Sequence, residues 1–209
     1  MSLFKKLKDT VKEVGLINEY CDHLRGIGIN ATVLGPDSPD YIGGTLSLGC
    51  VKIEDKNIDL VQVARQPVGG SQVAYQYHYV VRTNVEGLEN QLKAESKPVK
   101  KGLMSKEVVD LKWEGGQIAQ TLNSDNDLKS ILLKNELNKV VLKTDRKQQC
   151  VTITHPPKIP MQVSVSFGGL PFIPLGKMTA GRKEFPTLEE FNAYEKIAQH
   201  VLNLTNPRT

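Results

Sequence analysis

The chain has 209 residues, 39% hydrophobic and 24% charged, which is enough to bury a substantial core and too apolar for a disordered segment. Its net charge is +4, but residues 1–100 balance at 12 basic and 12 acidic groups, so the excess sits in residues 101–209, with 15 and 11. Basic residues are interspersed with acids rather than gathered on a stripe, which argues against a nucleic-acid partner. Cys21, Cys50 and Cys150 have neither the even count of a disulfide framework nor the close spacing of a zinc site. They read as small core residues of a cytoplasmic protein. No apolar run approaches the roughly 18 residues of a spanning helix, and the N-terminus lacks the apolar run of a secretory signal.

The first elements are helical. In residues 2–14, Leu3, Phe4, Leu7, Val11 and Val14 recur at helical spacing, with Lys5, Lys6, Lys8 and Lys12 on the other face beside Asp9 and Glu13. Gly15 interrupts this pattern, and a second helix over 16–25 ends at Gly26 and Gly28. The period then changes from 3.6 to 2. Strands are expected over 29–34, 45–53, 58–65 and 73–82, joined by short polar or Gly-Pro turns, and short turns between successive strands mean an antiparallel meander. In the last strand Val73, Tyr75, Tyr77, Tyr79 and Val81 share one face, and Ala74, Gln76, His78, Val80 and Arg82 the other.

A helix is expected over 86–95. The following lysine-rich stretch, broken by Pro98 and Gly102, reads as a linker over 96–105 between an N-terminal unit (1–95) and a C-terminal one (106–209). The second unit repeats the order of the first: a strand over 108–113, a helix over 117–135 with a break near Asn123-Ser124-Asp125, strands over 139–144, 149–155, 161–167 and 172–177, and a final helix from 187 to about 203. The expected class is therefore α+β, with antiparallel meander sheet and helices on one face, in two tandem helix–four-strand–helix halves. In element order alone this is similar to the TATA-binding-protein-like and helix-grip arrangements, which implies a curved sheet and says little about function.

Local catalytic motifs are not found. Around Ser47 only Gly49 fits a nucleophile elbow, because Thr45 stands where the first glycine is required. Of four glycine pairs, Gly115-Gly116 comes closest to a phosphate cradle, lying between a strand and a helix; a tight β-to-α turn explains it better. Asp125, Asn126, Asp127 and Glu136 mimic the ends of a calcium loop, yet the central glycine is Ser130, and helix capping accounts for the acids. The histidines and cysteines make no metal pair, so neither a metal nor a cofactor is expected.

Binding features are more persistent. Tyr75 and Tyr77, with His78 and Arg82, are candidate ligand contacts, although tyrosines at alternate strand positions also fill the space between a sheet and its helices. Leu3, Phe4, Lys5, Lys6 and Leu7 are candidates for a weak contact with an anionic membrane surface. The expectation is a non-catalytic binding or interaction module for an unidentified protein or small molecule. The alternatives are peripheral membrane association through the first helix, and an enzyme whose His78, Arg82 and Arg65 meet in a cleft between the halves.

Overall fold

The computed structural model describes residues 3–44, 46–69, 72–102, 107–155 and 185–206, with side chains from residue 15 onward apart from 67–69 and 72–73. The expected strands over 161–167 and 172–177 lie outside the described residues.

Helix α1 (Leu3–Gly26) leads into β1 (Ala31–Leu34), β2 (Ser47–Ile53), β3 (Leu60–Gly69) and β4 (Gln72–Arg82). A short helix α2 (Glu89–Leu92), the hairpin β5 (Ala94–Lys100) and β6 (Val108–Gly115), helices α3 (Gln117–Ser124) and α4 (Asn126–Lys134), strands β7 (Val141–Asp145) and β8 (Cys150–Thr154), and α5 (Leu188–Thr205) follow. The eight strands form one antiparallel sheet in the order β1-β2-β3-β4-β8-β7-β5-β6. Strands β1–β4 meet the strands that follow α2 where β4 pairs with β8, from His78 opposite Thr154 to Arg82 opposite Cys150.

Alternation in the strands decides which face the helices take. Val51, Ile53, Val61, Val63, Tyr79, Val81, Leu142, Val151 and Ile153 are buried in one cluster with Leu16, Tyr20 and Leu24 of α1, Ile118 and Leu122 of α3, Leu128 and Leu132 of α4, and Phe191, Ile197 and Val201 of α5. Two stacked tyrosine pairs bind the long helices to β4. Tyr20 lies on Tyr77 at 4.8 Å and Tyr194 on Tyr79 at 4.1 Å. Glu195 of α5 then reaches the β2–β3 turn, accepting from Asn57 N, Asn57 Nδ2 and Ile58 N, each at 3.0 Å.

Four local expectations are corrected. Gly15 does not break the first helix; α1 runs through it, because one helical glycine costs only about 1 kcal/mol, less than its continuing apolar stripe returns. The helix expected over 86–95 shrinks to α2, because β5 takes up the chain from Ala94. The lysine-rich linker is this strand: Ala94 and Ser96 face the core, while Glu95 and Lys97 alternate outward, Lys97 pairing with Glu114 at 2.6 Å. Pro98 fits because it lies opposite Leu111 at a position whose N–H faces away from β6, beyond the two residues that pair with β7. Helical spacing puts Leu188, Phe191, Tyr194 or Ile197, Ala198 and Val201 on the buried side of the last helix; Phe191, Tyr194, Ile197, Ala198 and Val201 are buried, but Leu188 in its first turn is 45% exposed. Thr187 caps this helix in a capping box with Glu190.

Among the described residues, a helix side chain engages one residue on each outer strand of the sheet. On β6 the Asn123 carboxamide mimics a neighbouring strand: Oδ1 accepts from Trp113 N and Nδ2 donates to Trp113 O, both at 2.8 Å. On β1, Arg25 Nε donates to Ala31 O at 2.8 Å. Each plug withdraws that residue's outward backbone group from pairing with another chain.

The Gly115-Gly116 turn is a place of close backbone approach. Gly116 N donates to Lys93 O at 2.8 Å, and a Cβ on Gly116 would collide with the carbonyl oxygens of Asn90 and Gln91. Those oxygens crowd the start of α3, where a phosphate would have to sit. Gly116→Ala is therefore expected to destabilise the protein by about 3 kcal/mol. Gly15→Ala, at a helical position with nothing within 4 Å of the added carbon, is expected to stabilise it by about 0.5–1 kcal/mol. Urea unfolding of the two variants checks both signs.

Candidate functional site

The face of the sheet turned away from the described helices carries a groove of about 460 Å³. Strand register sets its floor in two rows. Gln62 lies opposite His78, His78 opposite Thr154, and Thr154 opposite Val141. The next row runs Leu60, Val80, Thr152 and Lys143 across the same four strands. Ile42 and Gly43 of the β1–β2 loop close one side, and Asp145 and Gln148 of the β7–β8 turn stand at the other.

Bonds to the backbone orient the polar groups. Gln62 Nε2 donates to Ile42 O at 2.9 Å, and Gln76 Nε2 to His155 O at 3.3 Å. His78 Nδ1 lies 2.9 Å from Thr154 Oγ1. Burial, reinforced by the charge of Lys143, holds the His78 imidazole below its ordinary value near 6.5, so the ring is neutral at pH 7. Asp145 Oδ1 accepts from Lys147 N and Gln148 N at 2.8 and 3.1 Å, which shapes the turn.

The four candidate ligand contacts divide between the two faces. His78 lines the groove. Arg82, four residues along the same face, is engaged by the β1–β2 loop: Nη1 pairs with Asp40 Oδ1 at 3.1 Å and Nη2 donates to Asp40 O at 2.9 Å. Its backbone N donates to Asp59 Oδ2 at 2.6 Å, and burial raises the Asp59 carboxyl despite that bond and the guanidinium. Tyr77 is on the opposite face, where Tyr20 stacks on it, and Tyr75 is half-buried against the same core. Arg65, opposite Tyr75 on β3, shares the helix side, so the sheet stands between it and His78. The side chains of Leu3, Phe4, Lys5, Lys6 and Leu7 lie outside the described residues, and their backbone is helical. Among the described residues, no helix is long and apolar enough to cross a membrane.

A second hollow, of about 450 Å³, lies where α3 meets α4, between Thr121, Asp127 and His200. Its polar groups hold the structure together. Asp125 caps α4 by accepting from Leu128 N at 2.9 Å, and His200 Nε2 bonds its other oxygen at 2.9 Å. Partial burial works to raise the Asp125 carboxyl, but His200, the Leu128 N–H and Lys196 outweigh it and hold the group below its usual value. The calcium-like acids are thus a helix cap tied to α5. Among the described residues, no three metal-ligating side chains gather.

The cysteines are free and buried. Cys50 and Cys150 share the groove face but are three strand spacings, about 14 Å, apart across the sheet and offset by four residues along it, well beyond disulfide reach.

Sequence reasoning picked out His78 and its face-mates Gln76 and Arg82. It missed Gln62, Lys143, Thr152 and Thr154, which belong to other strands and meet His78 only through register. No protein-family model matches the chain, and no curated protein or solved structure matches it either. The geometry must therefore carry the functional reading by itself.

The histidine has a consequence for stability. Its folded-state value lies below the unfolded one, so its contribution is present above pH 6.5 and is lost as pH falls through the folded-state value. Between those limits the unfolded chain binds the extra proton. His78→Asn keeps a partner for Thr154 without a titrating group. It is expected to remove up to one proton's worth of acid sensitivity, about 1.4 kcal/mol per pH unit, from urea unfolding curves collected between pH 7.5 and 5.

Proposed function

We propose that the chain is a non-catalytic binding module that holds a small polar ligand against the face of its sheet turned away from the described helices. The observation that carries this reading is the groove floor, where four strands place Gln62, His78, Thr152, Thr154 and Lys143 around one cavity of about 460 Å³. That volume is in the range of small-molecule sites. Strands fix side-chain positions more tightly than loops do; Gln62 and Gln76 are oriented by bonds to the backbone, and His78 by Thr154. A neutral imidazole, hydroxyls and amides suit hydrogen-bonded recognition, and helix packing satisfies the apolar needs of the fold on the other face.

A polar metabolite library screened by thermal shift tests the proposal. A ligand at one hundred times its dissociation constant adds about 2.7 kcal/mol, which for a chain of this size raises Tm by roughly 5–10 °C. Val141→Trp, which places an indole over the end of the His78 row, is expected to abolish the shift while leaving the unliganded Tm within a few degrees. A shift unchanged in that variant moves binding elsewhere, and a library without any hit overturns the reading.

A further inference from the structure

The groove has two chemically different ends. On β3 and β4, the amide nitrogens of Gln62 and Gln76 are committed to the carbonyls of Ile42 and His155. Turning either amide over would set oxygen against oxygen, so each side chain offers its own carbonyl oxygen as a fixed acceptor. On β7, Lys143 lines the groove and makes no ion pair among the described residues. Between them, His78 spends Nδ1 on Thr154 and keeps Nε2 without a hydrogen-bond partner among the described residues.

Size follows from the sheet. From β3 to β7 is three strand spacings, about 14 Å. A lysine stem laid back over β8 covers about 6 Å of that. Lys143 also lies one row, about 7 Å, from Gln62, so the diagonal of about 16 Å leaves about 4 Å between one hydrogen bond at each end, the reach of a chain of a few atoms. Asp145, one step along β7 on the same face, disfavours a second negative charge near Lys143.

We infer that this groove takes a short carboxylic acid bearing an amine at its far end, the carboxylate lying between Lys143 and His78 and the amine on the oxygens of Gln62 and Gln76. The inference rests on the binding reading above and specifies its ligand class. It also couples binding to a proton. Of the charged groups around His78, Lys143 and Asp145 come from β7 and Arg82, already tied to Asp40, from β4; β8 adds the buried Cys150 thiol, and β3 and the residues at 42–43 add none. A bound carboxylate offsets the lysine charge that opposes protonation of the ring, so binding takes up a proton at His78 and tightens as pH falls.

The experiment is titration calorimetry on the full chain with 4-aminobutyrate, butyrate and butylamine, at pH 7.5 and 6.0. 4-Aminobutyrate is expected to bind roughly tenfold more tightly than either single-ended probe, the value of one charge-assisted hydrogen bond. Its affinity rises at pH 6.0, and Lys143→Gln, a change at an exposed side chain, reduces it to that of butylamine. Equal binding of butyrate and 4-aminobutyrate overturns the two-ended ligand, and an affinity unmoved by Lys143→Gln or by pH overturns the placement of its carboxylate. If none of the three binds while a neutral metabolite gives a shift abolished by Val141→Trp, the ligand class falls and the binding module stands. If neither series gives binding at the groove, both fall.

Discussion

Two tyrosine stacks on one strand organise the molecule. β4 is the strand through which β1–β3 join β8, and Tyr77 and Tyr79 on its core side receive Tyr20 of α1 and Tyr194 of α5. Because side chains alternate along a strand, committing positions 77 and 79 to the helices leaves His78 and Val80 on the other side. The packing that holds the fold and the face that presents the groove are thus two consequences of one period. A slip of one residue in the β4–β8 register would bury His78 against helices and expose the aromatic pair. With five paired positions and a core seam across the joint, that slip is strongly disfavoured.

Strand and helix interiors were legible in the sequence wherever an apolar period was sustained, as in the tyrosine-bearing strand and the final helix. They were illegible where burial is met by small residues. β5 buries only Ala94 and Ser96 in its first half, so its lysines dominated the reading and it passed for a linker. Its stability comes from partners invisible in a local window: the ladder to β6, and the mutual bonds of Ser96 with Val140, N to O and N to Oγ, both at 2.8 Å. Gly15 misled in the opposite direction, since a punctuating residue was weighed locally while the helix is held by contacts beyond it.

The same physics explains which part of the groove could be anticipated. His78, Gln76 and Arg82 share a strand face by alternation alone. Lys143 and Thr152 reach the site through a turn, a strand pair and the β4–β8 ladder, and no spacing in the chain encodes that. Arg82 shows the converse error. It lies on the right face, but Asp40 holds its guanidinium, so it fastens the β1–β2 loop that supplies Ile42 and Gly43 as the wall. Its contribution to the site is architectural.

That loop matters because a groove on an open sheet face would otherwise be shallow and wet. Ile42 O accepts both from Gln62 Nε2 at 2.9 Å and from Cys50 Sγ at 3.3 Å, so the wall is fixed to the floor by the same side chain that offers its oxygen to the cavity. Immobilising a glutamine on binding costs about 0.5–1.5 kcal/mol, and here folding has already met that cost for Gln62 and Gln76. Lys143 is the exception, exposed and without an ion pair among the described residues, and in the proposed binding module it is the group that a ligand would order. In that proposal, discrimination belongs to the fixed acceptor end and attraction to the exposed cationic end. Under the proposed reading, such a division lets a weakly apolar groove select its ligand without a deep pocket.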